Sequence, residues 1–160
     1  MKLVAALAAV AALAAGVPCM AGDAGGEDAV GDTYVGAAAV MALPQGGARM
    51  ARRSGAALRV GRYLTDQLAF EMEGAWMEDR AGLAARGVWH WWGYERFDPF
   101  FTFGAKGWMP RGMAGPFAGV GAFFHLDDSL SLRADGECAG AVDDGMACAF
   151  TVSAGLQYSF

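Results

Sequence analysis

The chain has 160 residues, enough for one domain, and carries a formal net charge of -5. That acidic balance argues against nucleic acid as a partner. The composition is 55% hydrophobic and only 18% charged, with 24 glycines, many aromatics and no long helical period after the first residues; it points to strands and turns.

Residues 1–21, "MKLVAALAAVAALAAGVPCMA", open on Lys2, run through small apolar residues and close on Ala21. This is the layout of a secretory signal peptide, with cleavage expected after Ala21 and Cys19 discarded with it. The apolar run is short for a spanning helix. Residues 22–32 are small and acidic and read as a flexible lead-in. The remaining residues, 33–160, read as one exported domain.

Eight strand-like stretches follow, at 33–43, 54–64, 67–77, 82–94, 99–108, 116–126, 129–139 and 147–160. Most approach or exceed the ~9–11 residues that a tilted strand needs to cross a bilayer. Soluble strands average only ~5–6. Between them, "LTDQ" (64–67), "ERFD" (95–98) and "LDDS" (126–129) read as short turns. The segments 44–55, 78–82, 109–115 and 140–146 read as longer loops. Short turns at one end and longer loops at the other are expected of an antiparallel up-and-down transmembrane barrel.

Alternate side chains of a strand face opposite sides. Sorted this way, Leu68, Phe70, Met72, Trp76, Leu83, Trp89, Trp91, Phe101, Phe103, Leu130 and Leu132 fall on one face. Arg59, Glu71, Glu73, Arg86, Lys106, Arg133, Asp135 and Glu137 fall on the other. Acids and bases are equal in number, as the inside of a narrow barrel requires, because an unpaired buried charge is costly. An eight-stranded barrel is just wide enough for side chains to fill. The expectation is an all-β, eight-stranded antiparallel up-and-down transmembrane β-barrel with a filled polar lumen. Strict alternation also sends Trp92 and Trp108 inward and Arg62 outward. The same alternation, turned inside out, describes a soluble periplasmic lipocalin-like barrel with an apolar interior for a ligand.

The stretch "GPFAGVGAFFHLDDSLSLRADG", followed by "FTVSAGLQYSF", resembles the small outer-membrane β-barrel family of OmpA-type and OmpX-type barrels. The resemblance implies a monomer in the cell outer membrane, among outer-membrane lipids and lipopolysaccharide. It implies termini and short turns in the periplasm and longer loops outside. It also implies that Phe160, with Leu156 and Tyr158 before it, is read by the barrel-assembly machinery. A structural or surface-interaction role follows, rather than catalysis or wide-pore transport.

Other candidates are few. Cys138 and Cys148 flank the last long loop on one face, so a disulfide between them is expected in an oxidising compartment. His90 and His125 are the only histidines. They are the residues a lipid A-modifying enzyme would need as a base, but no Ser-His-Asp spacing accompanies them. No cofactor is implied, and no Cys/His cluster has metal-ligand spacing. Arg49, Arg52 and Arg53 give the first loop a basic character suited to lipopolysaccharide phosphates.

Overall fold

A computed structural model describes residues 31–43, 53–91, 96–109, 113–141 and 147–160. The signal peptide, most of the lead-in, Arg49, Arg52 and Trp92 lie outside the described residues. Eight strands follow in order: β1 Thr33–Leu43, β2 Arg53–Tyr63, β3 Leu68–Met77, β4 Arg80–His90, β5 Phe97–Met109, β6 Met113–His125, β7 Leu130–Ala141 and β8 Ala147–Ser159. Each pairs antiparallel with the next, and β8 returns to β1, for example with Ala37 opposite Leu156. No strand edge is left open.

Every described ladder keeps a continuous register, so the inside–outside alternation runs unbroken along each strand. No bulge is needed to place Trp108 inward: it packs at one end of the interior against Val40, Ala57, Ala75 and Met77. Arg62 points out and is exposed, as alternation requires.

The outer surface is apolar. Phe103 is 51% and Leu156 49% exposed, and Phe70, Leu83, Trp89, Val120, Phe124 and Leu132 are comparably bare. Arg133, by contrast, is 3% exposed and Lys106 6%. This polarity overturns the soluble lipocalin-like alternative, which needs the apolar set in the centre. It suits a hydrocarbon solvent, in which all backbone polar groups must be paired internally.

The connections correct the sequence reading. Strand β3 ends at Met77 and β4 begins at Arg80, so the expected loop 78–82 shrinks to two residues. The expected loop 109–115 shrinks likewise, because β5 reaches Met109 and β6 begins at Met113. Glycines in these stretches read as loop signals, but Gly82 and Gly115 lie within paired strands. At the other end, β4 stops at His90 and β5 starts at Phe97, so Asp98 belongs to a strand rather than to the turn 95–98. Length alone therefore does not separate the two ends of the barrel.

Glycine makes room for the interior rings. A side chain at Gly61 would come within 2.2 Å of the Tyr34 ring. One at Gly121 would come within 2.4 Å of Phe100 and 2.6 Å of the Ala134 carbonyl oxygen. The glycines of "AGVG" (118–121) thus serve close packing across a narrow interior.

The turn between β6 and β7 shows how the short connections hold. In the β6–β7 turn, one Asp127 carboxylate oxygen accepts hydrogen bonds from the backbone N–H of Ser129 (2.9 Å) and Leu130 (2.7 Å) and from the Ser129 hydroxyl (3.0 Å). These bonds favour the charged form, the two backbone bonds most, and lower the Asp127 pKa below its ordinary value. A carboxylate with a lowered folded-state pKa stabilises above its unfolded pKa, about 3.9, and loses that contribution as pH falls through the folded value. Asp127→Ala is therefore expected to weaken this turn at neutral pH and to make no difference in strong acid. Urea titrations of both proteins at the two pH values check this.

Candidate functional site

The eight charged residues read from the sequence converge in one layer inside the barrel. Arg59 and Glu73 face each other across β2 and β3, and Glu71 faces Arg86 across β3 and β4. Alternation aims all four inward, and closure of the barrel brings β7 across from them.

Arg86 lies at the centre of the layer. Its guanidinium nitrogens reach Glu137 at 2.5 Å, Glu73 at 2.6 Å and Glu71 at 3.2 Å. Arg59 meets Glu73 at 2.8 Å and Asp135 at 2.9 Å, and donates to the Ser153 hydroxyl at 2.7 Å. Arg133 meets Glu71 at 2.5 Å and Asp135 at 3.0 Å. Lys106 meets Glu137 at 2.6 Å and Glu73 at 3.2 Å. Each carboxylate thus touches two or more cations, and each cation two or more carboxylates. Four positive and four negative charges cancel, which such a buried set requires.

Two apolar clusters flank this layer. Toward the end that holds the turns 64–67 and 126–129 lie Tyr34, Ala69, Val88, Phe100 and Phe123, with Tyr63 packed against them. The Tyr34 hydroxyl donates to Glu71 at 3.0 Å, tying this end to the charges. Arg133 lies over the Phe100 and Phe123 rings at 4.7 and 5.2 Å. Toward the opposite end lie Val40, Ala57, Ala75 and Met77, with Trp108 beneath Arg80 at 5.3 Å. Above Trp108, Asp79 pairs with Arg53 at 3.2 Å and Arg80 at 3.6 Å.

Sequence reasoning missed the interior aromatics Tyr34, Phe100, Phe117 and Phe123, because it sought rings, Trp92 and Trp108 apart, on the outer surface. Their inward parity was the available signal. It also missed Asp98, whose carboxylate oxygen Oδ2 meets Nδ1 of His90 inside the wall.

The two histidines do not form a common site. His125 Nδ1 lies 2.8 Å from the Ser131 hydroxyl directly opposite on β7. Among the described residues it has no carboxylate partner, and no group of three or more His, Cys, Asp or Glu is placed to hold a metal ion.

Cys138 is disulfide-bonded. The β7–β8 register sets Cys148 opposite Gly140, two residues along from Cys138 and on the same face; its side chain lies outside the described residues. Leu156, Tyr158 and Phe160 form an exposed row at the end of β8, with the Tyr158 and Phe160 rings 6.2 Å apart. The Phe160 backbone exchanges hydrogen bonds with Thr33.

No protein-family model and no curated protein matches this sequence. Solved structures do match. The N-terminal β-barrel domain of Pseudomonas aeruginosa OprF aligns at a TM-score of 0.66 and 12% identity, over 84% of this chain and 100% of that one. The crystal structure of Neisserial surface protein A (NspA) aligns at 0.61 and 14% identity, over 80% of this chain and 97% of the other. A de novo designed transmembrane β-barrel aligns at 0.66 and 14% identity, over 82% and 97%. At these identities the likeness is one of fold.

Proposed function

We propose that this chain, with the fold of small eight-stranded outer-membrane β-barrels, is an integral protein of the cell outer membrane. Its role is structural or surface-interacting, its lumen is closed, and it performs no catalysis. The observation that carries this reading is the inverted polarity: a balanced ion-pair layer inside, and Phe103, Leu132 and Leu156 bare outside. The two apolar clusters flanking the charge layer support a closed lumen.

The partners on this reading are outer-membrane lipids, and lipopolysaccharide at the end bearing Arg53 and Arg80, whose guanidinium groups suit phosphate. Cys138 and Cys148 pin the last loop by a disulfide. The barrel works as a monomer. Separation of the two membranes, followed by gel migration with and without heating, tests the reading. Recovery in the outer membrane with a heat-dependent shift, and no ionic current in a planar bilayer, supports it. Release by osmotic shock, or a large steady current, contradicts it.

The row Leu156, Tyr158 and Phe160 is what the barrel-assembly machinery reads. Phe160→Ala is expected to lower the amount of folded barrel in cells while leaving refolding of purified protein into lipid vesicles intact. Equal loss in both settings would make the residue a structural contact instead.

A further inference from the structure

Among the described strand residues, Arg62 on β2 is the only charged side chain that alternation turns outward. It is exposed, and among the described residues it has no ion pair and no hydrogen bond. Arg62 lies opposite Thr33 on β1 and Phe70 on β3. Its guanidinium runs along the wall to the rim at the short-turn end: a Cβ at Gly31, two residues before Thr33, would lie 3.5 Å from Nη2. The aliphatic stem thus covers apolar wall, while the charge reaches the level where membrane meets water.

Beside it on the same outer face is a cleft. Gln67, at the end of the β2–β3 turn, lines a space of about 370 Å³ together with Trp89, Trp91 and Phe101. Small-molecule sites span ~300–1,000 Å³. Trp89 is 54%, Trp91 49% and Phe101 41% exposed, and the Trp91 and Phe101 rings tilt together at 5.1 Å. Trp89 stands opposite Leu68 on one side and Phe101 on the other. Arg62 and the cleft are therefore two strands apart, about 10 Å, with Leu68 and Phe70 of β3 between them. Deeper in the wall the Phe103 ring lies over Gly87, within 2.7 Å of where a Cβ would sit, so the surface is filled again below the cleft.

We propose that this surface holds one anionic phospholipid of the leaflet on the short-turn side, with its phosphate on Arg62 and an acyl chain in the cleft. The side chains match such a molecule in order: a cation and the Gln67 amide at the rim, then indole rings, then bare apolar wall. A guanidinium offers phosphate paired N–H donors, and tryptophan suits the level where head group meets chain. The single cation balances one net negative charge; a zwitterionic head group brings its own ammonium and gains less. Lipopolysaccharide belongs to the opposite end, with Arg53 and Arg80, and a cleft for one chain does not suit its several. The whole chain carries a formal net charge of -5, so attraction of an anionic lipid is a property of this site and not of the protein's overall charge. The site rests on the outer-membrane reading above.

The full chain in phosphatidylcholine nanodiscs tests it. The discs are doped with the same small fraction of phosphatidylglycerol or of phosphatidylcholine, spin-labelled on an acyl chain, and the broadening of each indole N–H resonance is compared. At Trp89 the labelled phosphatidylglycerol is expected to broaden about two- to fivefold more, the worth of one interfacial ion pair. At Trp76, on the outer face near the far end of β3, the two lipids are expected to act alike. Arg62→Gln is expected to abolish the difference at Trp89. Equal broadening at Trp89 in the wild type, a difference that survives Arg62→Gln, or the same difference at Trp76 overturns the site. Broadening at Trp76 but from neither lipid at Trp89 would mean that another chain covers the cleft, and overturns it too. Broadening at neither residue by either lipid instead overturns the membrane reading, a separate result.

Discussion

Arg86→Met is expected to lower the unfolding free energy of the barrel in lipid vesicles by about 3–5 kcal/mol, the cost of removing one partner from a buried ionic set. Arg86 is 1% exposed and touches Glu71, Glu73 and Glu137 together. Its loss leaves the interior with four carboxylates against three cations. Glu73 and Glu137 keep Lys106, and Glu71 keeps Arg133, but the one cation that touches all three carboxylates is lost. Arg62→Met supplies the comparison. Arg62 is exposed on the outer surface, so its removal is expected to change stability by no more than about 0.5 kcal/mol. Urea titration of both variants measures the difference. Equal effects would mean that the charged layer is not a buried network.

Phe103→Arg is the converse experiment. Phe103 lies mid-strand in β5, opposite Gly87 and Ala118, with half its surface bare. Arginine at the midplane of a lipid-facing surface costs about 2–4 kcal/mol, falling to about 0–1 near the interfaces. The same substitution at Trp91, at the end of the outer row, is therefore expected to be nearly neutral. A barrel standing in water would show the opposite: Phe103→Arg would be harmless or would improve solubility. The gradient from Phe103 to Trp91, measured by reversible unfolding in vesicles, thus reports depth as well as orientation.

Much of this architecture was legible because a strand has a period of two. Glu71 and Glu73 in "LAFEMEG", Arg133 and Asp135 in "SLRADG", and Lys106 in "FGAKG" lie on alternate residues among apolar neighbours. No helical spacing reproduces that pattern. Closure of eight such strands then brings together residues as distant in sequence as Arg59 and Asp135. What sequence could supply was face, not partner. That Arg86 bridges three carboxylates depends on stagger around the barrel, which local pattern does not encode.

The misreadings have a common physical origin. Rings were assigned outward because a membrane surface wants them, yet a narrow lumen also needs bulk where the charges end. Phe100 and Phe123 fill that space, 4.8 Å apart, and Gly121 leaves room for the Phe100 ring. Asp98 was assigned to the turn 95–98, where Asp reads as a turn residue, and the strand was started at Pro99. Here Pro99 pairs with Ala122, and its carbonyl accepts from Trp91. Asp98 thereby gains an inward position beside His90.

The most direct measurement is the pattern of magnetisation transfer from lipid acyl chains to the protein in nanodiscs. The account predicts strong transfer to Phe103, Leu132 and Leu156 and none to the side-chain N–H groups of Arg86 and Arg133. Transfer to the arginines, or its absence at all three apolar residues, would contradict it.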